Sequence, residues 1–294
     1  MPSKQSGVIS SIMVTDSETN FLYLADSLPI KYPKFYKRFV AILNIHKVDF
    51  ALLPNTKDVW AVDYMPIQVA DNSFVQFIYN PDYLQPKTWQ KTISDVNAIC
   101  DNLQLSRNLS NIILDGGNVI KCNDTVIMCD KVFRENPNLS RQQLSAELRE
   151  LFQIDKLYFV PQEPKDKIGH ADGLVRFIDS ATVFINDLSK EDKNFERAVY
   201  IALENAGLSY VQIPYNPYDN KTYWQANGCY INYLQMKDYV FVPIFGLSED
   251  DIVIKQFENI FTNQKVVAVE SNDIANDGGV LNCISWNMKV CREI

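Results

Sequence analysis

Ile168-Gly169-His170-Ala171-Asp172-Gly173-Leu174-Val175-Arg176-Phe177 holds one of the two histidines in a chain of 294 residues. A carboxylate stands two positions after it. An alternating run follows, with Leu174, Arg176 and Ile178 on one face and Val175 and Phe177 on the other. The pattern predicts a glycine turn leading into a strand. His170 and Asp172 then share a face, because strand side chains repeat every two residues. Histidine exchanges protons near neutral pH without a perturbed pKa, so acid–base chemistry in this chain has few candidates. The other histidine, His46, is expected at the C-terminus of a helix running from Phe35, facing the helix dipole.

Similar units flank this stretch. Strands are expected at Val8–Val14, Asn20–Leu24 and Asp49–Pro54, around a helix that Pro33 opens with Phe35, Phe39, Ile42 and Leu43 on one face. An apolar run from Val59 through Asp63 to Ala70 is read as strand, continuing through Phe74–Tyr79, with a helix over Thr88–Gln104. Asp115-Gly116-Gly117-Asn118 interrupts the next strand, which pairs back through Thr125–Cys129. A helix N-capped by Ser140 runs to Phe152, before the strand Lys156–Pro161. Beyond the His170 unit come Ala181–Asn186, a helix from Glu191 to Ala206 stopped by Gly207, and Tyr210–Pro214. Asn227–Leu234, Tyr239–Pro243, a helix Asp250–Phe261, Lys265–Val269 and Asp277–Trp286 complete the series.

The landmarks Asp63, Asp115, Gly169, Gly228 and Gly278 are separated by 52, 54, 59 and 50 residues. Self-similarity at a near-fixed period points to one supersecondary unit repeated around an axis. Five such units would bring their leading positions to a central cavity. Those positions carry Asp63, Asp115, His170 with Asp172, Asn232, and Cys283. Taken singly, Asp115 reads as a turn residue, Cys283 as a buried structural thiol, and Asp63 as a cap of a backbone turn.

Composition narrows the chemistry. Hydrophobic residues make up 47% and charged residues 22%, enough for a sizeable core. Acidic residues outnumber basic ones by 36 to 28, a net charge of −8. That argues against a nucleic-acid partner, which would need basic patches, and is compatible with cationic small substrates. No apolar run approaches the ~18 residues of a membrane span, and residues 1–20 lack a signal-peptide pattern. The six cysteines show no zinc-ligand spacing with the histidines, so no metal site is expected. They are expected as free thiols, mostly buried, in a reducing cytoplasm. A thiol and a histidine can form a nucleophile–base pair wherever they sit in the chain. The added carboxylates suit a planar cation, since guanidinium presents its N–H donors in a fixed fork that carboxylates accept bidentately.

Trp60-Ala61-Val62-Asp63-Tyr64-Met65-Pro66, Asp115-Gly116-Gly117-Asn118, Gly169-His170-Ala171-Asp172, Tyr230-Ile231-Asn232 and Gly278-Gly279-Val280-Leu281-Asn282-Cys283 occur in this order. Together they resemble the guanidine-modifying enzymes of the pentein fold, in particular the agmatine deiminase and bacterial-type peptidylarginine deiminase branch. The likeness runs roughly from residue 50 to the end. It implies a single catalytic α/β domain over residues 1–294, a five-bladed pseudosymmetric α/β propeller (pentein) of repeated ββαβ units, with no metal or organic cofactor. It also implies roles. Cys283 attacks the guanidinium carbon, Asp63 and Asp172 clamp the guanidinium nitrogens, His170 protonates the leaving ammonia and then activates water, and Asp115 orients His170. Trp60 and Asn232 join as substrate-binding residues. Two features depart from the family pattern: Val62 stands where an Arg is usual and Met65 where a Gly is usual. Asp115 stands where relatives often carry Glu.

The implied activity is deimination of a guanidino small molecule or an arginine side chain: agmatine, arginine or peptidyl-arginine. Amidino transfer or a second hydrolysis on the same fold, or a non-catalytic binding module, remain as alternatives. Arg176 is a candidate clamp for a substrate carboxylate, or else a strand residue paired with an acid. The aromatic residues of the Tyr215–Trp224 loop are candidate pocket walls. Whether the chain forms a homo-oligomer is left open.

Overall fold

The computed structural model describes residues 13–222 and 224–291. Among them are five three-stranded sheets, each one blade of a propeller. The first holds β1 (Phe21–Ala25), β2 (Asp49–Leu53) and β15 (Ser285–Met288); the second β3 (Ile67–Ala70), β4 (Ser73–Ile78) and β5 (Asn108–Ile113). The third holds β6 (Ile120–Cys122), β7 (Thr125–Cys129) and β8 (Lys156–Val160); the fourth β9 (Val175–Phe177), β10 (Thr182–Asn186) and β11 (Ser209–Ile213). The fifth holds β12 (Leu234–Gln235), β13 (Tyr239–Ile244) and β14 (Lys265–Glu270).

Every blade has the same topology. The first strand pairs antiparallel with the middle one, and the middle strand pairs parallel with the outer one. A parallel pair needs a crossover, and a helix supplies each one. The crossover helices Pro33–Ile45, Arg141–Phe152 and Lys193–Asn205 bury Phe35/Phe39/Leu43, Leu144/Leu148/Phe152 and Phe195/Val199/Leu203. Helix Asp250–Ile260 buries Val253 and Phe257. The spacing of four puts each set in one stripe against its sheet. Ser140 caps its helix through a box with Gln143. Gly207, at φ +69°, ends its helix in a left-handed turn.

Several elements depart from the sequence expectation, each for a local reason. Most of the strand expected at Val8–Val14 lies outside the described residues; Met13 makes an isolated bridge to Asn123. The run through Asp63 is a helical turn, Ala61–Tyr64, and the strand begins only after Pro66, which forces Met65 to be extended. The helix expected over Thr88–Gln104 is broken into Lys87–Gln90 and Val96–Asn102, because the Asp95 side chain accepts from the Ala98 amide and starts a new helix. Asn227–Leu234 is mostly turn, with β12 confined to Leu234–Gln235. His170 and Asp172 lie not on a strand face but in the 3-10 turn before β9. His46 caps its helix as expected, but its pKa is lowered, by partial burial and by Lys265, so the dipole does not dominate there.

Arg176 on β9 is buried and turned away from any substrate role. It pairs with Asp16 at 2.9 Å, donates to the Tyr233 carbonyl at 2.9 Å and lies 4.5 Å over the Tyr233 ring. It lines a void of about 50 Å³ together with Asp16, Lys121 and Val62. At Val62, where the resemblance implies an Arg, this chain already has two cations, Arg176 and Lys121, around one void. Restoring that Arg should therefore overpack the void and add a third positive charge. Val62→Arg is expected to lower stability by about 1–3 kcal/mol, read as a lower urea midpoint with an unchanged m-value; an unchanged midpoint would contradict this account of the void.

Candidate active site

The turn that leads each blade delivers one part of the site. Asp63 comes from the turn before β3, Asp115 from before β6, His170 and Asp172 from before β9, Asn232 from before β12 and Cys283 from before β15. Hydrogen bonds join these five turns into a closed ring. The Gly117 amide donates to Asp63 Oδ1 (3.1 Å), and the Ala171 amide donates to Asn118 Oδ1 (3.3 Å). Asn232 Nδ2 donates to Asp172 Oδ2 (2.8 Å), and the Asn282 amide donates to the Asn232 carbonyl (3.2 Å). The Val62 amide donates to the Cys283 carbonyl (3.3 Å) and closes the circuit.

The glycines of the Asp115 turn are there for space. A Cβ on Gly116 would lie 2.0 Å from the Val62 carbonyl oxygen, and one on Gly117 would lie 2.6 Å from Asp63 Oδ1 and 2.7 Å from His170 Nδ1. Only a residue without a side chain lets this turn pass so close to the Asp63–His170 contact. Gly279 does the same beside Trp60, whose ring would stand 2.4 Å from an added Cβ.

Trp60, Asp63, His170, Asp172, Asn232 and Cys283 all line one cavity of about 810 Å³. Asp115 does not line it; it stands behind His170, with Oδ2 2.8 Å from Nε2. The other ring nitrogen, Nδ1, is 3.3 Å from Asp63 Oδ1. The imidazole is thus held between two carboxylates. Burial alone would lower its pKa, but Asp63 and Asp115 outweigh burial and lift it to about 9. At neutral pH it is an imidazolium that donates from both nitrogens. Burial pushes Asp63 up to about 7, with Asp115 and Asp172 adding and His170 opposing. Asp115 is also buried, yet its hydrogen bond and charge contact with His170, together with Lys131, hold it below the usual carboxylate value.

Cys283 Sγ lies 3.6 Å from Asp172 Oδ2, which also accepts from Asn232 and, at 2.7 Å, from Asn282. The Cys283 amide donates to Asn232 Oδ1 at 3.3 Å. Burial and the charges of Asp172 and Asp63 push the thiol pKa well above the free value. The resting side chain is therefore a thiol. A cation bound between the carboxylates would reverse the electrostatic part of that shift.

Further out, the cavity is lined by Asp58, Glu163, Asp166 and Asp277, with Lys31 and Lys57 as the lining cations. Lys31 stands 3.9 Å from both Asp58 and Asp277. Burial, then Asp166 and Glu191, raise Glu163 to about 7. Tyr215, Pro217, Thr222 and Trp224 make the expected loop a pocket wall. Among the described residues no group of three or more His, Cys, Asp or Glu is arranged to hold a metal ion. No helix among them is long and apolar enough to cross a membrane.

Sequence reasoning missed four contributors. Asn282 was quoted beside Cys283 but given no role. Asn118 closes the Asp-Gly-Gly-Asn turn and was read only as part of it. Tyr83, whose hydroxyl donates to Asp115 Oδ2 at 3.2 Å, falls between the strand expected to end at Tyr79 and the helix expected from Thr88, and carries no expected role. Lys131 carries no expected role; its one visible signal is a lysine two residues after a fully buried strand.

The thiol's environment gives a direct test. Asp172→Asn removes the nearer of the two charges that raise the Cys283 pKa, so more thiolate is present at a given pH. Alkylation of Cys283 by iodoacetamide at mildly alkaline pH is expected to speed up by about tenfold, one pKa unit, with exposed Cys291 as internal reference. A slower or equal rate would mean that burial alone sets the thiol.

Residues 17–288 match the family model described as Porphyromonas-type peptidyl-arginine deiminase. A candidate agmatine deiminase of Mycoplasma mycoides subsp. mycoides is 22% identical over 231 residues, which cover 67% of this chain and 63% of that protein. The chain thus aligns with somewhat less than two thirds of that relative's length. The agmatine deiminase of C. jejuni superposes with a TM-score of 0.77 at 19% identity, over 94% of this chain and 95% of that one. That of Enterococcus faecalis superposes with a TM-score of 0.75 at 17% identity, over 95% and 96%. The five-bladed pentein propeller expected from the repeat is the architecture these structures share. With 17–288 covered by one family model, the chain belongs to the Porphyromonas-type peptidyl-arginine deiminase family.

Proposed function

We propose that this chain, as a single catalytic domain, deiminates a small cationic guanidino compound, giving a ureido product and ammonia. The observation that carries the reading is His170, clamped between Asp63 and Asp115 on the wall of the cavity that Cys283 and Asp172 also line. A guanidinium between Asp63 and Asp172 would be held bidentately on both edges. Its charge would lower the Cys283 pKa and weaken the hold of Asp63 on His170, so substrate binding would prepare both nucleophile and acid.

With the cation bound, the Cys283 thiol loses its proton to solvent, and the thiolate adds to the guanidinium carbon. The His170 imidazolium gives its proton to one amino nitrogen, and the C–N bond breaks to release ammonia, leaving a thiouronium on sulfur. Neutral His170 takes a proton from water as the water oxygen adds to the same carbon. Collapse of that adduct breaks the C–S bond and returns the thiolate, and the hydroxyl proton leaves to solvent, giving the neutral ureido product. Asp115 keeps the ring oriented throughout. Trp60 walls the guanidinium plane, and Asn232 fixes Asp172 and the Cys283 amide.

The outer cavity bears on the other end of the substrate. Its carboxylates Asp58, Glu163, Asp166 and Asp277 would repel an α-carboxylate, Lys31 is already beside two of them, and Arg176 points elsewhere. A cationic or neutral tail suits this lining, so agmatine is the preferred substrate over free arginine. Proteins named agmatine deiminase among the relatives accord with this, and a cysteine-to-serine variant of the C. jejuni protein has been solved with substrate bound. Six unpaired cysteines accord with a reducing, cytoplasmic setting.

The test is ammonia release from agmatine, arginine and a short arginine peptide. Agmatine is expected to turn over with the highest kcat/KM, and Cys283→Ala should abolish turnover of every substrate. A folded wild-type protein that releases ammonia from none of them would overturn the deiminase reading. Faster turnover of arginine than of agmatine would overturn the assignment of the outer carboxylates.

A further inference from the structure

Lys131 has one of the largest fully buried side chains in the molecule, at 1% exposure. It opens the short helix Lys131–Glu135 directly after β7. A buried ammonium is costly unless its charge and hydrogen bonds are matched. Here the matching groups are parts of the acid–base apparatus. Nζ donates to the Ile168 carbonyl at 2.8 Å, two residues before His170. It stands 3.5 Å from Asp115 Oδ2, the same oxygen that meets His170 Nε2. It lies 4.8 Å over the ring of Tyr83, whose hydroxyl also donates to that oxygen. Glu135 at 3.1 Å and Asp82 at 3.7 Å complete its surroundings.

A lysine serving only to glue a core together would not need to reach three separate loops that converge on one imidazole. We propose that Lys131 is a positioning residue: it keeps Asp115 a carboxylate against His170 and pins the turn that carries His170, and so sets the charge state of the pair. The proposal rests on the reading of His170 as the acid–base group of the site. The ionisable groups facing the pair are Asp63 from the turn before β3, Tyr79, Tyr83 and Asp82 from the loop after β4, Lys131 and Glu135 from the helix after β7, and Asp172 from the turn before β9. Arg134 pairs with Asp82 on the outer side at 3.0 Å.

The sign follows from charge. The Lys131 ammonium opposes protonation of both Asp115 and His170. Because the two titrate together, the quantity to follow is the midpoint of the pair. Removing the ammonium should raise it. Removing Glu135, which offsets that ammonium, should lower it by a smaller amount.

The chain has two histidines, so isotope-labelled imidazole resonances of the full-length protein can be titrated directly, with His46→Gln assigning the second signal. In Lys131→Met the His170 midpoint is expected to rise by about one unit, and in Glu135→Gln to fall. With agmatine, Lys131→Met should lower kcat by about tenfold or more while KM changes by less than about threefold. The limb of the rate profile governed by His170 should move by the same increment as the midpoint. A core lysine without this role would reduce activity equally at all pH values and leave the midpoint in place. An unmoved midpoint in a folded Lys131→Met protein overturns the proposal, as does a shift of the same sign in both variants. If Lys131→Met does not fold, Glu135→Gln decides alone, and an unchanged or raised midpoint overturns the proposal. Moving midpoints in a protein that deiminates none of the substrates would leave Lys131 in its role and remove the deiminase reading instead.

Discussion

Three carboxylates and one imidazole share a buried space at the axis of the propeller, and the rest of the molecule serves to make that tolerable. Burying carboxylates without partners is costly. Here each is charge-compensated or hydrogen-bonded by a neighbouring turn: Asp63 by the Gly117 amide and His170, Asp115 by His170, Tyr83 and Lys131, Asp172 by Asn232 and Asn282. Apart from Lys131, which follows β7 in the blade that Asp115 leads, each partner comes from a different blade or the loop beside it. A five-fold arrangement gives five places from which donors can approach one point without crowding a single strand. The helices and sheets outside exist at fixed spacing so that those five places are correct together.

This division of labour explains what was legible in the sequence. The blades were readable because their signals are local: stripes of apolar residues four apart in helices, alternation in strands, and caps such as Ser140. The period of the repeat then located the turns, and the residues with useful chemistry in those turns are the ones that meet. What could not be read was anything set by contact between blades. Lys131 and Tyr83 belong to the outer sides of their motifs, where sequence shows only a lysine after a strand and a tyrosine in a loop. His170 and Asp172 were found by an argument from strand alternation, although both lie in a 3-10 turn whose form depends on the side chain of Asn118 from another blade. The Asp115 turn shows the reverse. Its two glycines are conspicuous in sequence, but only the neighbouring Val62 carbonyl and Asp63 carboxylate say why a side chain is forbidden there.

Charge is also divided along the axis. The charged residues lining the cavity that holds the thiol are mainly acids, whereas the small void by Val62 gathers Arg176 and Lys121 about Asp16. With Arg176 committed to Asp16 and Tyr233, the substrate side is left without an arginine among its described lining residues. Val62 therefore bears on the interior of the propeller rather than on the cavity, whose charged lining stays mainly acidic.

The pairing of β15 with β1 carries a consequence for how the molecule comes into being. Cys283 sits in the turn that leads β15, and the strand partner of β15 is β1, whose Phe21–Leu24 register against Met288–Ser285 joins positions more than 260 residues apart. Contacts so distant form late, after the local helices and hairpins. During synthesis the acid–base half of the site can therefore assemble before the sulfur exists, and the sulfur cannot meet it until the ring shuts. Until β1 and β15 pair, nothing holds the Cys283 turn beside His170 and Asp172, so the contact that shuts the ring also completes the constellation.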